Sequence, residues 1–336
     1  MKIAVLAPVA WRTPPRQYGP WEQVASNVTE GMVAAGIEVT LFATGDSITD
    51  AELAAVIGKG YAEDPSADAK VCESLHISNL MERAGEFDLI HNHFDFLPLT
   101  YSRLIHTPVL TTIHGFSSPK IIPVYKKYNH SSHYVSISNS DRNAELEYLA
   151  TVYNGLKLSE FYFNPIPEDY LLFFGRIHPD KGTAEAIQIA LKSKKRLLIA
   201  GLIQDRAYFE ETVEPFLNNE IRYLGNVGPE KRRELLGNAC ALLHPIKFDE
   251  PFGMSVAEAM LCGTPVIAFN RGSMPELIKH GETGFLAATV LEAVDAIANL
   301  ETLNRKCCHS WAAFQFSQEK MVNDYIVCYK TILEKR

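Results

Sequence analysis

Short, continuous apolar runs recur along the whole chain, separated by stretches long enough for a helix, and this rhythm constrains the fold more than any other feature. In the first half the runs fall at 2–7, 38–43, 89–93, 109–113, 134–137 and near 152–153. In the second half they fall at 170–174, 196–200, 221–224, 241–244, 266–269 and 284–286. Apolar runs without polar alternation belong to strands covered on both faces, and strands alternating with helices form parallel sheets. Two such series predict two doubly wound α/β domains, which 336 residues can accommodate. Between them lies a polar, aromatic stretch with two prolines, Asn164-Pro-Ile-Pro167, that reads as a linker. The expected division is 1–163 and 164–317, followed by a terminal helix within 318–336 that packs back on the first domain.

Composition removes several function classes. With 47% hydrophobic and 21% charged residues the chain is ordinary for a globular protein, and its net charge of −8 argues against nucleic acid as partner. No apolar run approaches the ~18 residues of a membrane span. The opening MKIAVLAPVAW reads as a first strand rather than a leader. The six cysteines contain no C-x-x-C pair and suit reduced thiols in a cytoplasmic protein.

The segment 248–269, FDEPFGMSVAEAMLCGTPVIAF, carries the most chemistry. Glu250 and Glu258 flank a Pro-Phe-Gly turn that opens a helix, and that helix ends at Gly263 before a strand. A loop entering a helix offers free N–H groups and a positive dipole end to phosphate. The acids beside it are suited to sugar hydroxyls. Ser255-Val-Ala-Glu258 also reads as a capping box, with Glu258 reaching back to the helix's first N–H.

Ligands of open α/β sheets bind beyond the carboxyl ends of the strands. His114, Arg176 and Glu250 each come after an expected strand. In FFGRIHPDKG, Arg176 and Lys181 stand five residues apart across a turn and pair a planar, bidentate donor with a mobile point charge, which suits a diphosphate. Neither a Walker loop nor G-x-G-x-x-G after the first strand occurs, and Gly225-Asn-Val-Gly228 is too short a fragment to stand for one. His91-Asn-His93 shares one strand face without a third metal ligand, and no D-x-D occurs.

Taken together, Arg176-x4-Lys181, Glu250-x7-Glu258 and GTPVIAFNRGSMPELIKHGETGF resemble the donor-binding half of retaining glycosyltransferase family 4. The first half agrees, in order, through KIAVLAP, Tyr18-Gly19-Pro-Trp-Glu22, FDLIHNHFDFLPL, TTIHGF and VYNGL. The resemblance implies a GT-B fold, in which two facing Rossmann-like domains enclose a cleft. It also implies transfer of a sugar from a nucleoside diphosphate to an acceptor hydroxyl. Under it, Arg176 and Lys181 bind the diphosphate, Glu258 the ribose, and Glu250 the transferred sugar. Backbone N–H groups of Phe252, Gly253 and Met254 touch phosphate or sugar, while the base sits near Gly201, Leu202 and Val227. His114 lies near the reacting face of the sugar, and Gly19 lets the first loop approach the diphosphate. One departure stands out: Pro20 replaces a glycine common in relatives and has no N–H to offer.

The resemblance implies no cofactor and no metal, the nucleotide sugar being a substrate. The acceptor is expected against the loops 10–21 and 116–128, where Trp11, Trp21 and Tyr125 either stack on a sugar or pack the loops. Lys120, Lys126 and Lys127 either form a solvated face or touch an anionic membrane surface weakly. A glycosidase, a GT-B nucleotide-sugar epimerase and a non-catalytic sugar-nucleotide-binding protein are the alternatives.

Overall fold

Two parallel sheets organise the chain, each built as the apolar runs predict. The computed structural model describes residues 1–116 and 118–334. Ser117, in the expected acceptor loop, and Lys335 and Arg336, at the end of the expected terminal helix, lie outside the described residues.

The first unit comprises Met1–Leu156 and Gln318–Arg336. Its strands are β1 (Lys2–Leu6), β2 (Glu38–Phe42), β3 (Glu52–Ala54), β4 (Leu89–Asn92), β5 (Val109–Ile113), β6 (His133–Ser136) and β7 (Tyr148–Thr151). They lie in the order β3-β2-β1-β4-β5-β6-β7, with every pairing parallel. The order reverses between β1 and β4, so the loops that leave these two strands run to opposite sides and open a crevice between them. Apolar side chains from both strands and from the helix Ala69–Glu82, including Leu6, Ile90, Ile77 and Leu80, form one core layer. The helix Gln318–Glu334 completes this unit by burying Met321, Tyr325, Tyr329 and Ile332. Tyr329 Oη meets His91 Nδ1 at 2.7 Å and Tyr325 Oη meets Thr112 Oγ1 at 2.8 Å, so the helix is tied to β4 and β5 through buried polar pairs.

The second unit is Lys157–Ser317. It contains β8 (Leu171–Phe174), β9 (Leu197–Ala200), β10 (Ile221–Tyr223), β11 (Ala241–His244), β12 (Val266–Phe269) and β13 (Gly284–Ala287), in the parallel order β10-β9-β8-β11-β12-β13. Here the reversal falls between β8 and β11. Leu171, Phe173, Leu197, Ile199, Leu243 and Ile267 pack against Ile187 of the helix Thr183–Ser193 and Ala293 of the helix Val290–Ala298.

Two expectations need correction, and one strand carries no sequence signal. The strand expected near 152–153 lies earlier, at β7, because this edge strand is only half-buried and its apolar pattern is weak. β3 escapes the sequence pattern altogether, being a three-residue edge strand with one buried side chain. The division between units falls after Leu156 rather than after Phe163. Residues 157–163 belong with the second unit: Phe161 is buried, and the Phe163 ring lies where a side chain on Gly263 would stand.

Among the described residues, no helix is long and apolar enough to cross a membrane.

Candidate functional site

In the second unit the candidate residues line the carboxyl edge of adjacent strands. Arg176 comes after β8, Gly201 and Leu202 after β9, Val227 after β10, and Glu250 after β11. Sheet order rather than chain order places them on one rim, centred on the reversal between β8 and β11.

Lys181 closes the tight turn Pro179–Lys181, and Gly182, at φ 76°, leads into the helix Thr183–Ser193. A Cβ at Gly182 would overlap the carbonyl of Pro245, so this glycine lets the Lys181 turn lie against the loop that leaves β11. The Lys181 ammonium forms an ion pair with Glu250, both side chains being 14% exposed, and stands 4.6 Å from the Phe248 ring centroid. His244, the last residue of β11, places Nε2 3.7 Å from Glu250 Oε2, and that buried nitrogen has no hydrogen-bond partner. Burial pushes the Glu250 carboxyl up, but His244 and the Lys181 charge together outweigh it and hold the group at about 2. His244 itself is pushed down by burial, with Glu250 opposing, so the imidazole is neutral beside a carboxylate.

The Glu250 loop is held from behind. Ser273 donates its N–H to the Glu250 carbonyl at 2.9 Å and its hydroxyl to the Phe252 carbonyl at 2.6 Å. Gly272, at φ 54°, lets that support approach, since any Cβ there would overlap the Glu250 backbone. Arg176 hydrogen-bonds Gln204 and lies 3.4 Å from Asp180, whose other oxygen is 2.7 Å from His178 Nδ1. Both cations expected on a diphosphate are therefore held against protein acceptors.

The helix Met254–Leu261 begins at Gly253, at φ 92°, without a side-chain cap. Val256 donates its N–H to the Gly253 carbonyl at 3.0 Å, which leaves the N–H groups of Met254 and Ser255 without an acceptor inside the helix. The capping-box alternative is incorrect here. With Gly253 as cap, Glu258 lies in the second turn, too far along to reach back, and points instead toward Arg232, 3.5 Å away. Glu258 is 2% exposed; burial raises its carboxyl, with Arg232 opposing. Phe252 is buried and Met254 half-buried. Gly201, at φ 145°, sits where a Cβ would overlap the Gly175 carbonyl, and Leu202 and Val227 are half-buried.

In the first unit, His114 comes directly after β5 and His93 directly after β4. His114 Nε2 and His93 Nδ1 are 2.9 Å apart, and the His114 ring stacks on Trp21 at 5.6 Å. Burial holds His114 at about 3 and His93 well below its ordinary value, so both are neutral. His91 spends both nitrogens on Tyr329 and Thr112, which removes the metal pair with His93 that the spacing raised. Gly19, at φ 147°, caps the helix Pro20–Ala34, and a Cβ there would stand 2.8 Å from Pro15. Tyr125 is fully buried, with its hydroxyl 2.5 Å from Asp95 Oδ1, so of the three candidate stacking rings this one packs the core. Lys126 pairs with Glu145, and Lys127 lies 5.2 Å from the Tyr128 ring.

Sequence reasoning missed His244, Gly272, Ser273 and Arg232. A histidine ending an apolar strand looks like a core residue, and Gly-Ser reads as a plain turn. Arg232 sits in a helix rich in surface charge.

Two family models cover most of the chain: Glycosyltransferase Family 4 matches residues 22–159, and Glycosyl transferases group 1 matches residues 159–313. An uncharacterized glycosyltransferase of Methanocaldococcus jannaschii is 25% identical over 332 residues, covering 84% of each chain. AviGT4, a glycosyltransferase involved in avilamycin A biosynthesis, superposes with a TM-score of 0.75 at 22% identity, covering 100% of this chain and 99% of its own. Anabaena Alr3699/HepE, solved with UDP-glucose, gives 0.73 at 18% identity over 98% of this chain and 100% of its own. The two doubly wound parallel sheets are thus those of the GT-B fold, and the chain is a glycosyltransferase belonging to family 4.

Proposed function

We propose that this enzyme moves a sugar from a nucleoside diphosphate to an acceptor hydroxyl with retention of anomeric configuration and without a metal ion. The observation that carries the reading is the buried Lys181–Glu250–His244 group beside Arg176, at the strand reversal of the second unit. A glycosidase needs its paired acids near one scissile bond. Here one acid is paired to a lysine and the other lies beside an arginine, an arrangement that suits an anionic leaving group.

In this reading Lys181 and Arg176 exchange their protein partners for diphosphate oxygens, and the first-turn N–H groups after Gly253 add neutral donors. Glu250 and the unpartnered His244 nitrogen take sugar hydroxyls, and Glu258 takes the ribose. The bond from the anomeric carbon to the phosphate oxygen breaks, its electron pair leaving with the diphosphate. The acceptor oxygen attacks the same face and passes its proton to the departing phosphate oxygen. Positioned charge supplies the catalysis, each such contact accounting for about 10²–10³-fold. No protein nucleophile is required. A relative of the same fold holds UDP-glucose in its crystal structure, so this architecture accommodates a nucleotide sugar. A cytoplasmic setting fits the six free cysteines.

Thermal unfolding against UDP, GDP, ADP and their sugars tests the donor assignment. A native-state ligand raises the midpoint by mass action, so one base should stand out in the wild type and be weakened in Arg176→Ala. No response to any nucleoside diphosphate would exclude the reading.

A further inference from the structure

The first unit contains a cavity of about 490 Å³ at its own strand reversal. Its walls come from the loop after β1, including Trp11 and Tyr18, from the start of the next helix at Trp21 and Glu22, and from Phe94 and Asp95 after β4. Tyr61 and Glu73 close another side. The volume is within the ~300–1,000 Å³ of small-molecule sites. Its position at the carboxyl ends of β1 and β4 is where open α/β sheets take ligands.

The lining has a definite chemistry. Three acidic side chains, Glu22, Glu73 and Asp95, face it together with aromatic rings, burial raising Glu22 to about 7, and no lysine or arginine is among the lining residues. Arg16, in the loop that supplies Trp11 and Tyr18, is committed to Asp46 and Glu63. Each acid is anchored by protein donors. The Trp11 N–H donates to Glu22 at 3.2 Å, the Tyr61 hydroxyl to Glu73 at 3.1 Å, and the Tyr125 hydroxyl to Asp95 at 2.5 Å. A carboxylate has about four acceptor sites, so these anchors orient the groups and leave capacity for hydroxyl donors. A phosphate or carboxylate ligand would meet like charge from Glu73 and Asp95 in a partly desolvated space, with no lysine or arginine in the lining to neutralise it. An uncharged polyol meets acceptors for its hydroxyls and ring faces for its C–H surface. Trp21 forms part of this wall and stacks on His114, which joins the cavity to the histidine expected near the transferred sugar.

We propose that this cavity binds an uncharged saccharide unit as the acceptor and discriminates against acceptors carrying phosphate or carboxylate. Calling the occupant an acceptor rests on the transferase reading; its chemical class does not. Trp11 and Tyr18, 6.3 Å apart and edge-to-face, are the walls on which a pyranose face packs, and Glu73 and Asp95 fix its hydroxyl pattern.

Saturation-transfer NMR on the full chain without donor tests the class directly. The probes are methyl α-glucopyranoside, methyl α-mannopyranoside and methyl N-acetyl-glucosaminide, set against glucose 6-phosphate, inositol phosphate and malate. The expected result is transfer to at least one neutral probe and none to the anionic set, with the neutral signal lost in Trp11→Ala and reduced at least fivefold in Glu73→Gln. Thermal response to nucleoside diphosphates, measured on the same samples, should be unchanged in both variants, which reports folding and tests the donor reading separately. If no neutral probe binds, if an anionic probe binds as well, or if Trp11→Ala keeps the full signal, the proposal is overturned. This holds whatever the nucleotide result.

Discussion

Replacing Lys181 by Met separates what the buried ion pair does for stability from what the lysine does for turnover. In the wild type, burial disfavours the Glu250 carboxylate, yet His244 and Lys181 hold the group at about 2 rather than its ordinary 4.5. At about 1.4 kcal/mol per pH unit, that depression corresponds to about 3 kcal/mol of stability at neutral pH. The depressed value sets the sign: this contribution is present above pH 4.5 and fades as pH falls toward 2. Lys181→Met leaves a carboxylate, 14% exposed, beside a neutral imidazole, so burial takes over and raises the carboxyl. Because His244 shares in holding the group down, the expected loss at pH 7 is a part of that sum, about 1–3 kcal/mol, and it should shrink as pH falls below 4.5. Adding Glu250→Gln should recover most of that stability, because no uncompensated charge remains. Turnover should behave differently. If Lys181 neutralises the leaving diphosphate, kcat falls about 10²–10³-fold in Lys181→Met and stays low in the double variant. Urea unfolding at pH 7 and pH 4 gives the first quantity, and initial rates with the donor selected by thermal response give the second. Turnover of Lys181→Met within threefold of wild type would refute the leaving-group assignment. Turnover restored in the double variant would show the pair to be structural.

Other perturbations read different parts of the molecule. Burial raises Glu22 to about 7, against 4.5 when unfolded, so the folded state holds the proton more tightly. Stability should therefore fall by up to about 3 kcal/mol as pH rises from 4.5 to 7, and Glu22→Gln should flatten that slope in urea titrations. Gly272→Ala places a Cβ on the Glu250 backbone at a positive φ; a loss above about 1 kcal/mol, with a lower kcat, is expected from parallel unfolding and rate measurements. Tyr329→Phe strips the 2.7 Å partner from buried His91 and should cost about 1–3 kcal/mol in urea unfolding, with donor affinity unchanged by calorimetry.

Most of the fold was legible because buried parallel strands are written as uninterrupted apolar runs. β1, β4, β5, β8, β11 and β12 lie in the middle of their sheets and match the runs within a residue or so at each end. Legibility failed at the edges. β3 and β7 are half-covered, and a half-covered strand needs fewer apolar side chains, so Glu-Leu-Ala and Tyr-Leu-Ala-Thr carry little signal. The unit boundary was misplaced for a related reason. Pro165 and Pro167 look like a linker, but the division is set by the packing of Phe161 and Phe163, and packing has no local signature.

The site shows the same contrast between what spacing carries and what only folding brings together. Arg176, Lys181 and Glu250 announce themselves by charge at strand ends, and sheet order then sets them on one rim. Their resting partners could not be read, because Gln204, Asp180 and His244 reach them across turns and strands rather than through a recognisable spacing. Glu258 illustrates the hazard of a local motif: Ser-x-x-Glu fits a capping box by spacing, yet Gly253 takes the cap and sets Glu258 two residues further into the helix. The consequence is mechanistic. A capping glutamate would be committed to the helix backbone. One facing Arg232 at 3.5 Å instead sits in a buried charge pair loose enough for a hydroxyl donor to join. Glu258→Gln keeps the shape and the acceptor oxygen but removes the charge facing Arg232. It should therefore weaken donor binding more than it changes kcat, the split expected of a residue that grips the ribose rather than the reacting bond.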